Sequence, residues 1–414
     1  MHNSDSILSN ITPDIFLKKY WQQKPLLIPD AITDYSCPIS ADEMAGLACE
    51  SEVESRIILE HDGDYPWQCK HGPFEEVIFS KLPETHWTLL LQSCNLHVPA
   101  FAQLLEQFRF IPDWRVDDIM VSYAAPGGSV GPHTDNYDVF LLQAQGKRHW
   151  SISTKVSNEG DFEADIDLKI LKSFQSEESW ELKAGDMLYL PPGVAHHGVA
   201  DSDAASGDCI TISIGFRAPD TKELVAALLD EILSRHDLKS DSHFYSDPNL
   251  PLQENPGEIT PWALQRISKL VQQELNIQLQ DSDWFGRYIT RNSNQLVDPE
   301  ETMIVEMTLD QCLEPLRSGQ QLIRNEASKM AFILRDNESC GDNVLVRFYC
   351  NGDVEHFPLA FLNVVSIVCN NRHLTKELFF DQGETGLENI DVQIFLCKLI
   401  NQGHLYYEQD SDVG

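Results

Sequence analysis

The sequence predicts an α+β protein whose first 219 residues form a β-rich, jelly-roll-type core. Five short segments there are rich in β-branched and aromatic residues, and each is bounded by glycine, proline or polar clusters. Proline and glycine runs at 126–128 and 191–193 mark tight turns. Many short strands separated in this way are typical of a sandwich, a barrel or a double-sheet jelly roll. The predicted strands are 119–123, 139–143, 149–153, 186–190 and 209–216.

The spacing of apolar residues changes near residue 220, which divides the chain into three predicted regions. Residues 224–233 and 264–275 carry leucine, isoleucine and valine at helical intervals. Two amphipathic helices without a large core of their own favour packing on another subunit, although packing on a neighbouring domain is equally ordinary. The sequence therefore predicts a jelly roll over 1–219, a helical region over 220–296 and a small α+β domain over 297–414.

The composition is that of an acidic, folded protein. The chain has 414 residues, enough for two or three domains, and 65 acidic against 30 basic residues give a formal charge of −35. Such a surface repels phosphate backbones and attracts basic partners, although ordinary solubility explains the charge equally well. The 10 cysteines form no Cys-x-x-Cys pair, and neither a secretory signal nor an apolar stretch of about 20 residues occurs. We expect a cytoplasmic protein that neither crosses a membrane nor binds nucleic acid directly.

A His-x-Asp motif lies in the segment 131–135. Residues i and i+2 of an extended strand project from the same face, so His133 and Asp135 can reach one metal ion while Thr134 points away. The motif occurs once among 14 histidines. Alone it is weak evidence for a metal site, and it needs a further ligand from elsewhere in the chain.

A second motif supplies that ligand. Residues 185–196 follow the pattern Gly-x5-Pro-x-Gly-x2-His, which predicts a strand, a tight turn and a histidine that opens the next strand. This pattern is typical of cupin-type jelly rolls. The turn spacing favours His196 over His197, because adjacent residues of a strand face opposite sides. Two histidines and one carboxylate leave coordination positions open, which suits non-haem Fe(II).

An iron(II) oxygenase of this kind also needs a cation for its cosubstrate. The distal carboxylate of 2-oxoglutarate, in a pocket without water, requires a positive hydrogen-bonding partner, and a guanidinium is well suited to this. Lys147 and Arg148 lie one strand beyond the His-x-Asp motif. Arg148 would share a strand face with Trp150, whereas Lys147 and His149 would occupy the other face. These residues alone do not decide between Lys147 and Arg148.

Taken together, the sequence resembles the bacterial JmjC-type ribosomal oxygenases, and the resemblance extends beyond the metal motifs. It covers the first 219 residues closely, continues into the helical middle at 245–248 and is weak towards the C-terminus. The matching segments are 21–25, 55–56, 71–74, 112–118, 130–133, 137–140, 189–193 and 215–219.

The resemblance implies a specific activity and architecture. Family members use Fe(II), 2-oxoglutarate and O2 to hydroxylate the β-carbon of an arginine in a basic large-subunit ribosomal protein of the L-sixteen type. Their architecture is a cupin-like double-stranded β-helix (the JmjC core), a helical dimerisation region and a C-terminal winged-helix-like domain, which implies a homodimer. The residues carried over by position are the iron ligands His133, Asp135 and His196, the 2-oxoglutarate contacts Arg148 and Ser122, and Tyr137 in the substrate channel.

Two features depart from the family pattern, and other functions stay open. His197 stands where an acidic residue is expected, and the acidic excursion at 161–167 need not match the family, which leaves the substrate groove near it undecided. The same JmjC chemistry could hydroxylate another residue or demethylate lysine. The remaining alternatives are a cupin-like metal protein that is not an oxygenase and a binding module without catalysis.

Overall fold

The protein divides into two compact units, Met1–Ala218 and Pro219–Gly414. The separation of the second unit into the regions 220–296 and 297–414 stays a prediction.

None of the helices in the described part of the chain combines the length and apolarity that crossing a membrane requires. Residues 164–167 of the acidic excursion lie outside the described residues. The computed structural model describes residues 7–60, 67–155, 161–163, 168–201, 208–234, 245–247, 250, 252, 257–280, 283–291, 306–335, 345–380 and 386–408.

The first unit contains two antiparallel sheets. Their strands are β1 (Leu26–Ile28), β2 (Ser55–Glu60), β3 (Trp67–His71), β4 (Trp87–Leu91), β5 (Val116–Ala124), β6 (His133–Thr134), β7 (Asp138–Gln145), β8 (Lys147–Ser153), β9 (Glu178–Lys183), β10 (Met187–Leu190), β11 (Ala195–Ala200) and β12 (Cys209–Phe216). The larger sheet has the order β1-β10-β7-β12-β5-β4-β2-β3, and the smaller has the order β6-β11-β8-β9. This double-sheet arrangement is the predicted jelly roll.

The five predicted strands are confirmed as β5, β7, β8, β10 and β12, with ends within three residues of the prediction. The strands β1 to β4 and β9 were not predicted. In β2 and β4 the apolar residues run consecutively, a pattern that does not separate a strand from a buried helix. The edge strands β3 and β9 are mostly exposed and polar, and each has one tryptophan and no β-branched residue, so they lack the composition that marks a strand.

The main core of the first unit joins the larger sheet to its N-terminal helices. These are α1 (Pro13–Lys19), α2 (Ala41–Leu47) and α3 (Pro99–Leu105). Phe16 of α1 is fully buried, with its ring centroid 4.9 Å from that of Tyr189 and 5.4 Å from that of Phe140. Burial of such a side chain stabilises the fold by roughly 1.5–3 kcal/mol. The first helix is thereby fixed to β10 and to β7, and β7 also lines the site described below.

The second unit mixes helices with two small sheets. Its helices are α4 (Thr221–Ser234), α5 (Pro261–Gln280), α6 (Asp283–Thr290), α7 (Leu309–Ser318), α8 (Leu362–Asn370), α9 (Glu377–Phe380) and α10 (Ile390–Asn401). Its strands are β13 (Leu322–Arg324), β14 (Met330–Arg335), β15 (Leu345–Cys350), β16 (Asp353–Pro358), β17 (His373–Leu374) and β18 (Leu405–Tyr407). They pair in the orders β17-β13-β18 and β14-β15-β16. The predicted helical runs are confirmed as α4 and α5, and the winged-helix-like domain stays a prediction.

Candidate metal and cosubstrate site

The jelly roll encloses a cavity of about 230 Å³. It is lined by alternate residues of several strands, because successive strand residues face opposite sides. On β5 the residues that face the cavity are Asp118, Met120 and Ser122, and on β8 they are Arg148 and Trp150. The same cavity contains the predicted metal ligands, so one chamber holds every residue that the sequence assigned to iron and cosubstrate.

The three predicted metal ligands lie together at this cavity. His133 on β6 is paired directly with His196 on β11, which brings the two imidazole rings to a centroid distance of 4.2 Å. Asp135 follows β6, and its Oδ2 is 3.6 Å from Nε2 of His196. One ligand atom from each of the three residues lies within 4.8 Å of the other two. The arrangement is compact enough for all three to bind one ion.

Backbone hydrogen bonds orient both histidines for metal binding. Nδ1 of His133 lies 2.9 Å from the carbonyl oxygen of Gly131, and Nδ1 of His196 lies 3.0 Å from that of Val194. Since a carbonyl can only accept, Nδ1 of each ring carries the proton and Nε2 is left as the ligand atom. Burial is the main cause that lowers the pKa of His196 to about 4, so this ring is neutral at pH 7 and ready to bind a cation.

His197 is not part of this group. It follows His196 on β11, pairs with Ser151, and places its ring 6.0 Å from that of Phe174. Strand alternation therefore separates the two adjacent histidines, as the sequence favoured. Two imidazoles and one carboxylate leave coordination positions for a chelating ligand and for dioxygen, so the donor set fits non-haem Fe(II).

Arg148 is buried without a carboxylate partner in the described part of the chain. It is 2% exposed, and its Nη1 donates to Oγ of Ser122 and to Oγ1 of Thr211, each at 3.1 Å. Its Nε has no hydrogen-bond partner among the described residues. Burial lowers the pKa of Arg148, because a charge without a counter-ion is costly in the core. The site therefore fits an anionic ligand such as the distal carboxylate of 2-oxoglutarate.

The structure separates the roles of Arg148 and Lys147. Lys147 faces away from the cavity, is 46% exposed at its side chain, and forms an ion pair with Glu181 at 3.0 Å. A surface pair of this kind contributes little to stability. Of the two cations that the sequence left open, only Arg148 lines the cavity.

Two residues near Arg148 were missed by sequence reasoning. Oγ1 of Thr211 donates to Oε1 of Gln143 at 3.0 Å, so the hydroxyl that receives Arg148 is itself held in place. Both residues are buried polar positions on β12 and β7. A polar residue among the apolar residues of a predicted strand was the signal that could have identified them.

The mouth of the cavity carries an acidic residue that sequence reasoning did not single out. Asp118 lines the cavity together with Tyr137, which is 38% exposed. Burial raises the pKa of Asp118, although hydrogen bonds from Ser93 and Gln92 oppose the rise. Asp118 has no ion pair with any described residue, so its charge is available to a cationic group that enters from solvent.

The comparisons with known proteins agree with this geometry. A model of the JmjC domain matches residues 103–224. Over 400 residues the chain is 35% identical to the ribosomal protein uL16 3-hydroxylase of Escherichia coli K12, covering 96% of this chain and 97% of that protein. The chain belongs to the JmjC ribosomal oxygenases. It is also 36% identical over 246 residues to a probable ribosomal oxygenase of Haemophilus influenzae, covering 59% of this chain and 56% of that protein.

Solved structures of a ribosomal oxygenase have the same fold. The Escherichia coli ribosomal oxygenase YcfD in complex with cobalt and 2-oxoglutarate matches with a TM-score of 0.78 and 32% identity, over 97% of this chain and 99% of that one. The complex of YcfD with cobalt and succinic acid matches with a TM-score of 0.77 and 32% identity, over 97% and 99% of the two chains. These matches confirm the predicted family and its cupin-like jelly-roll fold.

We predict that His196→Ala removes the metal from this ribosomal oxygenase, whereas His197→Ala retains it. Loss of one of three ligands is expected to weaken metal binding by at least about a hundredfold, more than the loss of an outer partner. Metal content after dialysis, measured by inductively coupled plasma mass spectrometry, checks this. His133→Ala and Asp135→Ala should behave as His196→Ala does. Equal metal content in the His196 and His197 variants would contradict the ligand assignment.

A second prediction separates the two neighbouring cations. Arg148→Met should raise the Kd for 2-oxoglutarate by about a hundredfold, because charge-assisted hydrogen bonds contribute about 1.5–3 kcal/mol each. Lys147→Met is the matched control and should leave this Kd unchanged, since Lys147 is on the outer face. Isothermal titration of the metal-loaded proteins measures both values. The assignment fails when the Lys147 variant, and not the Arg148 variant, loses affinity.

Proposed function

We propose that this JmjC ribosomal oxygenase is an Fe(II)- and 2-oxoglutarate-dependent hydroxylase that modifies the β-carbon of an arginine in ribosomal protein uL16. One observation carries the proposal. A compact two-histidine, one-carboxylate group shares a cavity with a buried arginine that has no carboxylate partner among the described residues. A metal protein without an organic anion would have no use for such a cation. The similarity to a uL16 3-hydroxylase supports the substrate class.

The residues of the chain have separate tasks in this reaction. His133, Asp135 and His196 would hold the metal, and Arg148 with Ser122 would orient the cosubstrate carboxylate at the closed end. When bound, iron(II) with 2-oxoglutarate and O2 supplies the oxidising power for hydroxylation of an unactivated carbon. The apolar wall of the cavity, which limits the access of water, includes Val139, Leu141 and Trp150.

The carboxylate of Asp118 at the mouth supports a cationic side chain as the target. Asp118 offers a partly buried carboxylate without an ion pair among the described residues, and Tyr137 presents an aromatic side chain close to it. A guanidinium can form a charge-assisted hydrogen bond with the carboxylate and stack on the ring. Neutral histidine would leave the charge of Asp118 uncompensated, so this mouth favours arginine over histidine.

The charge of the whole chain agrees with a basic ribosomal protein as partner. A formal charge of −35 steers a basic protein towards the enzyme and disfavours direct contact with nucleic acid. The ribosomal substrate also supports a cytoplasmic location. In this proposal the enzyme recognises a protein loop and does not bind ribosomal RNA.

The substrate proposal predicts a mass difference in one ribosomal protein. Deletion of the gene should remove the mass of one oxygen atom from uL16, and re-expression of the wild-type chain should restore it. Re-expression of Asp135→Ala should not restore it, because the metal ligand is missing. Intact-mass measurement of all ribosomal proteins, followed by fragmentation of the changed one, locates the modified residue. An unchanged uL16 mass after deletion overturns the substrate claim, and a modified histidine or lysine redirects it to the alternative JmjC activities.

We further propose that α4 and α5 mediate homodimerisation. On α5 the residues Leu264, Ile267 and Val271 follow helical spacing on one face and are 54%, 47% and 54% exposed. On α4, Val225 and Leu229 lie one turn apart and are 50% and 43% exposed. Apolar faces of this kind are usually covered in an assembly. A symmetric contact between two copies would cover both.

The dimer is tested by one substitution in the exposed apolar face of α5. Ile267→Glu is expected to give a monomer in sedimentation-velocity ultracentrifugation, since the face would have to bury a charge. Gln273→Glu, which adds the same charge to an exposed polar position of α5, is the control and should remain dimeric. A wild-type chain that sediments as a monomer at micromolar concentration overturns the proposal.

A further inference from the structure

Within the described part of the chain, the hydrogen bonds that anchor Asp118 all reach one carboxylate oxygen. Its Oδ2 accepts hydrogen bonds from Nε2 of Gln92 at 2.6 Å, from the backbone N of Ser93 at 2.8 Å and from Oγ of Ser93 at 3.3 Å. Its Oδ1 has no hydrogen-bond partner among the described residues. It faces Gly215, where an added Cβ would lie 3.6 Å away from it. The carboxylate is thus fixed on one side and open on the other.

The orientation of the Gln92 amide is set by Arg56, another cation that lines the cavity. Nη2 of Arg56 donates to Oε1 of Gln92 at 3.0 Å. A guanidinium can only donate, so the amide oxygen has to face Arg56 and the amide nitrogen has to face Asp118. The three side chains therefore form a directed chain from Arg56 through Gln92 to Asp118.

The amide also keeps the two charges apart. Arg56 and Asp118 line the same cavity, yet they form no ion pair with each other. A direct pair would neutralise the carboxylate and occupy its open oxygen. Because a neutral amide lies between them, Asp118 is oriented while its charge stays available to a cationic group of the substrate.

The backbone at the next residue supports the same arrangement. Ser93 has a φ of 53°, in the left-handed region that residues other than glycine rarely adopt. This conformation directs its N–H to the same oxygen of Asp118 that Gln92 contacts. Two consecutive residues thus hold one oxygen of the carboxylate.

We infer that Gln92 is a positioning residue that presents Oδ1 of Asp118 to the guanidinium of the substrate arginine, and that Gly215 leaves the space this group occupies. The inference rests on the proposed arginine substrate. It gives a role to Arg56 and Gly215, which lie in two segments of the family resemblance, 55–56 and 215–219, that the metal chemistry does not use. Gln92 acts through Asp118 and does not touch the reacting carbon.

The test compares peptide kinetics of Gln92→Leu with those of the wild type. The probe is a uL16 peptide that contains the target arginine, together with the same peptide carrying neutral citrulline there. The leucine cannot hydrogen-bond, so the carboxylate loses the contact from Gln92 and is held by Ser93 alone. We expect the KM for the arginine peptide to rise about tenfold, the cost of one charge-assisted hydrogen bond, while kcat changes less than about twofold. The preference for arginine over citrulline should fall by the same factor.

Two further variants keep the result interpretable. Gln103→Leu, the same change at an exposed position of α3, should match the wild type in KM and in selectivity. Gly215→Ala requires no left-handed backbone and should also raise the KM for the arginine peptide, because its methyl group would stand beside Oδ1. This variant tests the open oxygen independently when Gln92→Leu does not fold.

The outcomes separate the inference from the function on which it rests. A wild-type enzyme that prefers arginine, with an unchanged KM in Gln92→Leu or in Gly215→Ala, overturns the positioning role and leaves the proposed function intact. If Gln92→Leu lowers both kcat and the melting temperature while KM is unchanged, the role of Gln92 is merely structural. That result also overturns the positioning role. A wild-type enzyme that modifies neither peptide refutes the arginine substrate itself.

Discussion

The burial of the Arg148 charge is the constraint on which the rest of the site depends. Its guanidinium is held by hydroxyls of Ser122 and Thr211, which come from two other strands of the jelly roll. Hydroxyls satisfy hydrogen bonds but do not neutralise a charge, and an uncompensated ion in the core costs several kcal/mol. A bound carboxylate would remove that cost. Cosubstrate binding and fold stability are therefore linked, because a ligand that binds only the folded state stabilises it.

Much of the metal site could be predicted because its ligands are local in sequence. His133 and Asp135 share a strand face by spacing alone, and the turn at 191–193 brings His196 back towards them. The jelly roll could be predicted from the same alternation and from its turns. Arg148 could be chosen over Lys147 only with the resemblance to the family, since either face of β8 was open to the interior before the structure was known.

The residues that sequence reasoning missed depend on the register between strands that are distant in the chain. Thr211 meets Ser122 because β12 pairs with β5, and Gln92 meets Asp118 because β4 lies on the other side of β5. A shift of one residue in either pairing would turn these side chains away from the cavity. Nothing in the local sequence specifies that register. The described strands β13 to β18 also arise from pairings that no local pattern marked.

Inside the jelly roll, charged residues of the core differ from those of the cavity in whether they form ion pairs. Where a buried ion serves the fold, it is paired, as Asp138 is with Arg115 at 3.3 Å. Inside the cavity, by contrast, Arg148 and Asp118 have no ion-pair partner among the described residues. Asp118 and Ser122, which holds Arg148, are four residues apart on one face of β5, a separation of about 13 Å along the strand. The strand keeps the two charges too far apart to neutralise each other. The arrangement suits an anion at the closed end and, in the proposed function, a cationic group at the mouth.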